Sequence, residues 1–299
     1  MLNETKVQAL TQINVKDFLE AWGLGQVKRG RRLLEWLSML PARRFAREVA
    51  AYDDHVGADG LQAGAAWMIK RFAARLEIIG QEHVPTSDPA LILGNHPGLS
   101  DTVALFASVP RADLRIIAGD RPFLRALPHI SRRLIFVPEH SEGRMAVVRE
   151  ATRHLRQGGA ILTLPAGRIE PDPAVLAGAV ESLQTWSESI ALFARLVPQT
   201  RIVPVIVTGI LAAAALNNPL TRIRRTRKDR EWLAATLQIL LQPYLPAYLP
   251  ACVRVVFGEP LLAADLPNRG DNAAIMRAVT ERARELIEKE HIQSRMNRV

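Results

Sequence analysis

Apolar positions in the first part of the chain recur at helical spacing: Phe18, Leu19 and Trp22, then Leu33, Leu34, Trp36, Leu37 and Leu40, then Trp67, Met68, Phe72 and Leu76. This predicts an N-terminal helical region over residues 1–78. From "LEIIGQEHVP" onward, short apolar runs are separated by turn residues, which predicts strands over 90–95, 114–119, 133–138, 160–165, 202–209 and 253–258. Helical periodicity falls between them, at 101–109, 142–157 and 180–197, and a terminal amphipathic helix starts near Asp271 or Asn272. The alternation predicts an α/β fold over 79–299, with a central mostly parallel or mixed sheet flanked by helices.

Composition narrows the class of partner. The 299 residues carry 39 Lys and Arg against 30 Asp and Glu, a net charge of +9 that draws the molecule to phosphate-rich surfaces, either nucleic acid or anionic lipid. Aromatic residues make up only 5%, no strand carries stacking aromatics and no helix-turn-helix pattern occurs, so no nucleic-acid partner is expected and lipid is favoured. A single cysteine, Cys252, excludes a disulfide framework and a cysteine zinc site, and is expected in the core.

The N-terminus lacks the pattern of a signal peptide. The uncharged stretches 202–220 and 232–253 are broken by proline and polar residues and do not span a bilayer. A cytoplasmic protein, peripheral at the inner membrane face, is therefore expected. Lys28, Arg29, Arg31, Arg32, Arg43, Arg44 and Arg47, interleaved with Trp22 and Trp36, suit an amphipathic segment resting on anionic headgroups. A helical hairpin packed on the core with solvated arginines fits the same pattern. The basic run "TRIRRTRKDREW" is likewise either a lipid-facing patch or a solvated loop before a core helix.

Candidate chemistry lies in "LILGNHPGLSDTVALF". His96 and Asp101 are five positions apart, a spacing chance supplies often, and on a helix they would point to different faces. Pro97 and Gly98 let the chain turn between them. Ser100 is then an N-cap and Asp101 enters the first helical turn, where the dipole favours its ionised form. An ionised Asp101 can fix the imidazole tautomer and leave the other nitrogen as a general base for a nucleophile supplied by substrate. No G-x-S-x-G frame is present, and no second histidine or carboxylate cluster nearby points to a metal.

From about residue 78 to 266 the chain resembles the lysophospholipid and glycerolphosphate acyltransferase family. "NHPGLSD" matches its N-H-x-x-x-x-D block, and "LTLPAGRIE" is similar to its F-P-E-G-T-R-S block. "LEIIGQEHVP", "RIVPVIVTG" and "VRVVFGEPL" resemble its entry, proline-containing and late strands. The resemblance implies acyl transfer from an acyl-CoA or acyl carrier protein thioester to a hydroxyl of a lipid acceptor. No cofactor is implied beyond that co-substrate. It makes His96 and Asp101 the catalytic pair and Asn95, Gly98, Arg121, Arg144, Gly167 and Arg168 the substrate-binding candidates. Gly167 would allow close backbone approach, and Arg121 or Arg144 would bind phosphate.

The third block has Ala166, Arg168 and Ile169 where the family has Glu, Thr and Arg, leaving Arg168 or Glu170 to substitute. Pro138 and Glu139 stand where the family's second block has an Asp-Arg pair. A member of this fold that binds lipid or acyl groups without turnover is the alternative function.

Overall fold

The computed structural model describes residues 3–140, 143–242, 249, 251–266 and 270–296. Three helices come first, α1 (Glu4–Ala21), α2 (Arg31–Asp59) and α3 (Leu61–Ile69). Then follow β1 (Arg75–Ile79), β2 (Ala90–Gly94), α4 (Asp101–Ser108), β3 (Arg115–Gly119), the short helices α5 (Pro122–Arg125) and α6 (Pro128–Ser131), β4 (Leu134–Val137) and α7 (Arg144–Arg156). The second half runs β5 (Ala160–Thr163), α8 (Ala179–Ser182), α9 (Ser189–Leu196), β6 (Arg201–Thr208), α10 (Ala213–Leu216), α11 (Arg227–Leu241), β7 (Cys252–Phe257), β8 (Leu261–Leu262) and α12 (Asn272–Met296). Within the uncharged stretch 232–253, residues 243–248 and 250 lie outside the described residues.

One sheet in the order β1-β7-β6-β2-β5-β3-β4 organises these elements, with β8 added to β6. Strands β6, β2, β5, β3 and β4 run parallel, while β7 and β8 pair antiparallel to β6. Strand β1 pairs parallel to β7, with Leu76 opposite Val253. Leu76, the last position of the helical stripe read from the sequence, is thus in an edge strand. Its strand is only half covered, so a few apolar positions fit either period.

The parallel strands read as unbroken apolar runs because both faces are covered. Along β2 every residue is buried: Ala90 and Ile92 join the apolar layer under α2, α3 and α4, and Leu91 and Leu93 join the opposite layer under α7, α9 and α12. Period two also corrects the expectation for Cys252, which is exposed. Its neighbours Ala251 and Val253 take the buried face, so the thiol faces outward.

Helix α2 is divided in character. From Ala42 onward it is buried against α1 and the core, through Ala46, Val49, Ala50, Tyr52, Asp53 and Val56. Before Pro41, Leu33, Trp36, Leu37 and Leu40 form an i, i+3, i+4, i+7 face that points to solvent, with Trp36 70% and Leu40 77% exposed. The packed-hairpin reading therefore applies to the second part of α2 and fails for the first. No helix among the described residues is long and apolar enough to cross a membrane.

Candidate active site

The site is built where β2 ends, at the carboxyl edge of the parallel strands, where open α/β sheets place their ligands. Asn95 follows Gly94 and does not reach the cavity. Its amide grips the β6 backbone, Nδ2 donating to the Val207 carbonyl at 3.0 Å and Oδ1 accepting from the Val207 N–H at 2.7 Å. Two strand ends are thereby locked at the level where the chain turns into His96.

His96 Nδ1 lies 2.6 Å from Asp101 Oδ2. The Pro97–Gly98 turn makes this possible, and the Gly98 N–H donates to the same carboxylate oxygen at 3.1 Å. A Cβ at Gly98 would meet Ile210 Cγ2 at 2.5 Å, so the turn has no room for a side chain. Asp101 is fully buried in the first turn of α4, and its other oxygen accepts from Thr102 N and Oγ1. Ser100 occupies the N-cap position but makes no side-chain cap bond. Its φ of −102° and ψ of −3° are already helical, so the geometry of a capping hydroxyl is lost.

An ionised Asp101 only accepts, so Nδ1 carries the proton and Nε2 is the basic nitrogen. The side chain of His96 is 24% exposed and lines the cavity. Burial works against the charged imidazolium, but Asp101 by charge and hydrogen bond, together with the charge of Glu170, outweighs it and raises the histidine above its usual 6.5.

Glu170 is the element that sequence reasoning placed least well. It holds the main chain of His96 from both sides: its N–H donates to the His96 carbonyl at 2.7 Å and its Oε2 accepts from the His96 N–H at 3.0 Å. Oε1 accepts from Ser182 Oγ at 2.9 Å and Trp186 Nε1 at 3.1 Å. Burial raises its pKa against those hydrogen bonds. Two residues on, fully buried Asp172 accepts from the N–H groups of Ala174, Gly209 and Leu211, tying the loop after β5 to the turn after β6. The available signal was the pair of acids in "RIEPD", polar residues in a stretch otherwise read as a loop.

Residues 75–208, which contain the pair, the clamp and five strands of the parallel sheet, match the acyltransferase family model. This segment is what the chain shares with that family. Among solved structures the chain is similar to the 1-acyl-sn-glycerophosphate (LPA) acyltransferase PlsC from Thermotoga maritima, at 18% identity, a TM-score of 0.46, and coverage of 93% of this chain and 96% of that one. No curated protein matches the chain.

A cavity of about 820 Å³ opens beside His96. Its polar end includes Arg121, Arg144, Gly167 and Arg168, four of the positions expected to contact substrate. Gly167 sits at φ +62° with nothing within 4 Å of the place a Cβ would take, so the backbone is open to a ligand there. Arg121 is exposed and only loosely paired, its Nη1 3.7 Å from Glu139 Oε1. Arg144 starts α7. Away from this end the wall is apolar, formed by β3, β4, α4 and the buried part of α2. The acidic cluster of Asp53 and Asp54 with His129 lies elsewhere and is bridged by Lys6 Nζ, at 3.0 Å from Asp53 and 2.6 Å from Asp54.

Proposed function

We propose that this acyltransferase moves a fatty acyl group from an acyl-CoA or acyl carrier protein thioester to a hydroxyl of a lysophospholipid or related lipid precursor. The observation that carries the reading is the His96–Asp101 pair with His96 lining a largely apolar cavity. Nε2 of His96 takes the hydroxyl proton as the oxygen attacks the thioester carbonyl. The tetrahedral intermediate collapses by breaking the C–S bond, and the imidazolium returns the proton to the departing thiolate. Asp101 supports the imidazolium from the opposite nitrogen. The apolar wall takes the acyl chain, and Arg121, Arg144 and Arg168 attract an anionic headgroup or the phosphates of the thioester carrier.

The test is thiol release from acyl-CoA and from acyl carrier protein, with a panel of hydroxyl acceptors and detection of the ester formed. Acceptor-dependent thiol release supports the reading. Binding of acyl groups without release on any acceptor supports the non-catalytic alternative.

The pair also sets a pH dependence. His96 must be neutral to accept a proton, so activity is expected to rise with pH along a limb whose midpoint lies above 6.5. Asp101→Asn removes the charge that raises the histidine and leaves the burial that lowers it, so the midpoint should move down while turnover also falls. A midpoint that stays in place would show that Asp101 does not govern the titrating group.

Lipid substrate is reached from a membrane surface through the exposed face of α2. Leu33, Trp36, Leu37 and Leu40 present it, and the same helix continues into the cavity wall at Phe45, Val49 and Tyr52. Arg224 packs over Gly23, which brings the basic run and exposed Ile223 beside the loop leading into α2. Apolar insertion and attraction to anionic headgroups then act on one surface. Trp36→Glu with Leu40→Glu is expected to weaken sedimentation with anionic liposomes roughly tenfold or more, and raised salt should weaken the wild type. Unchanged sedimentation of the double variant would remove this face from the membrane contact.

A further inference from the structure

Tyr52 raises a question that the catalytic reading leaves open. Among the described buried side-chain polar atoms, Tyr52 Oη, Thr152 Oγ1, Thr200 Oγ1 and Arg224 Nε have no hydrogen-bond partner. Of these residues only Tyr52 lines the cavity. It is 5% exposed and shares the cavity lining with apolar residues including Val49, Met68, Leu127, Ile130 and Leu134, and its hydroxyl has no partner there. A phenol in such a wall is usually replaced by phenylalanine or given a partner, because an unpaired buried hydroxyl weakens the fold. Burial, followed by the neighbouring charge of Asp53, also raises its pKa, so the group stays a neutral O–H donor.

Its position along the cavity is fixed by the sheet register and by Asp53. Oδ1 of Asp53 accepts from the N–H groups of His129 and Ile130, which pins α2 at this level to α6, just before β4. In register, Leu134 of β4 lies opposite Ile116 of β3, Ile116 opposite Leu162 of β5, and Leu162 opposite Ile92 of β2. Ile92 is two residues before Gly94, where β2 ends, so this level lies roughly 7 Å below the strand ends. His96 is beyond those ends. The anchor that sets Tyr52 therefore lies below the strand ends, on the apolar side of the cavity, whereas His96 lies beyond them.

We propose that the Tyr52 hydroxyl hydrogen-bonds an oxygen substituent on the acyl chain, making the enzyme selective for chains that carry a hydroxyl or keto group at mid-chain or beyond. The inference rests on the reading of the cavity as the acyl site. A β-hydroxyl would lie beside His96 and miss Tyr52, whereas a mid-chain or distal oxygen enters the apolar part and meets a donor that has no other use. An unsubstituted chain of the same length fills the same volume but leaves the hydroxyl unpaired. A site holding a buried polar group discriminates strongly against ligands that cannot pair it.

The experiment compares hexadecanoyl chains that are unsubstituted, β-hydroxylated, mid-chain hydroxylated and ω-hydroxylated, on wild type and Tyr52→Phe. Two readouts are used: direct binding of the free fatty acids by calorimetry, and thiol release from the matching acyl-CoA series. Wild type is expected to favour the mid-chain or ω-hydroxy chain over the unsubstituted one by roughly tenfold, with the β-hydroxy chain showing no such gain. Tyr52→Phe should abolish that ratio while retaining binding of the unsubstituted chain. Its melting temperature should be unchanged or higher, since an unpartnered polar group has been removed. A ratio that is the same in both proteins overturns the inference, as does a clear loss of stability in Tyr52→Phe, which would assign the hydroxyl a structural role. Binding that shows the ratio without thiol release would instead overturn the acyl-transfer reading and leave the Tyr52 assignment standing.

Discussion

His96→Ala is expected to lower thiol release from an acyl thioester roughly 100-fold or more with acceptor present. The fold should survive the change. The His96 side chain lines the cavity; alanine gives up its bond to Asp101, whose carboxylate keeps the Gly98 and Thr102 donors, and it retains the backbone bonds to Glu170. The loss should fall on turnover, because the imidazole acts on the proton of the attacking hydroxyl and does not form the wall that binds the acyl chain. Removing the base also removes the rising limb of the pH profile. The residual reaction should therefore depend on pH only through the solvent and the remaining groups. Thiol release, ester formation and a melting curve on the same preparation are sufficient to check this. A variant that turns over as fast as wild type would show that the proton leaves by another route, and Asp101 would then be only a helix-start residue.

Much of the architecture could be read from the chain because the parallel strands are buried on both faces. Six apolar runs fall on strands β2 to β7 within a residue or two at each end. What was lost was information that periodicity does not carry. The dipeptide Leu261–Leu262 of β8 is too short to show a period. Strand β1 is covered unevenly, and the exposed side of Cys252 follows from register more than from residue type.

At the site, the turn through Pro97 and Gly98 announces the His96–Asp101 contact, since the spacing alone would put the two side chains apart. The partners that make the contact rigid are distant in sequence. Glu170 is 74 residues from His96, and Asn95 meets Val207 across 112 residues. Asn95 was expected to contact substrate from its place in a motif, yet its amide is used up on the neighbouring strand. No local rule distinguishes these uses, because each depends on which strands lie side by side. The order β6-β2-β5 brings the loops after all three to one edge, and Glu170 and Val207 arrive there from opposite sides of β2.

Glu170→Ala is expected to damage both stability and turnover. The carboxylate accepts from His96 N, Ser182 Oγ and Trp186 Nε1; truncation leaves the His96 and Trp186 N–H groups without that acceptor, while the Ser182 hydroxyl keeps the Ala179 carbonyl at 2.7 Å. One unpaired buried donor costs about 1 to 3 kcal/mol, and relief of a desolvated carboxylate offsets part of the sum, so a loss of about 3 kcal/mol is expected. Glu170→Gln keeps the volume but turns an NH₂ toward donors on one side or the other, so it should recover little. The pH dependence gives an independent check. Burial raises the folded-state pKa of Glu170 above its usual 4.5, so the folded chain holds this proton more tightly than the unfolded chain. Its contribution to stability is therefore fully present below 4.5 and declines as pH rises through the shifted value. The stability gap between wild type and Glu170→Ala should be widest at the acid end and narrow upward, which denaturant titrations across pH can follow.

Turnover should fall roughly tenfold or more, because the carboxylate fixes the backbone from which the imidazole reaches both Asp101 and the substrate. The charge of Glu170 also helps to hold the histidine up, so the midpoint of the activity profile should move down in the variant. A variant that is less stable but keeps that midpoint and its turnover would make Glu170 a structural residue only. The clamp on His96 would then have to come from the Pro97–Gly98 turn and from Asp101, which between them engage the ring and the turn but make no bond to the His96 main chain.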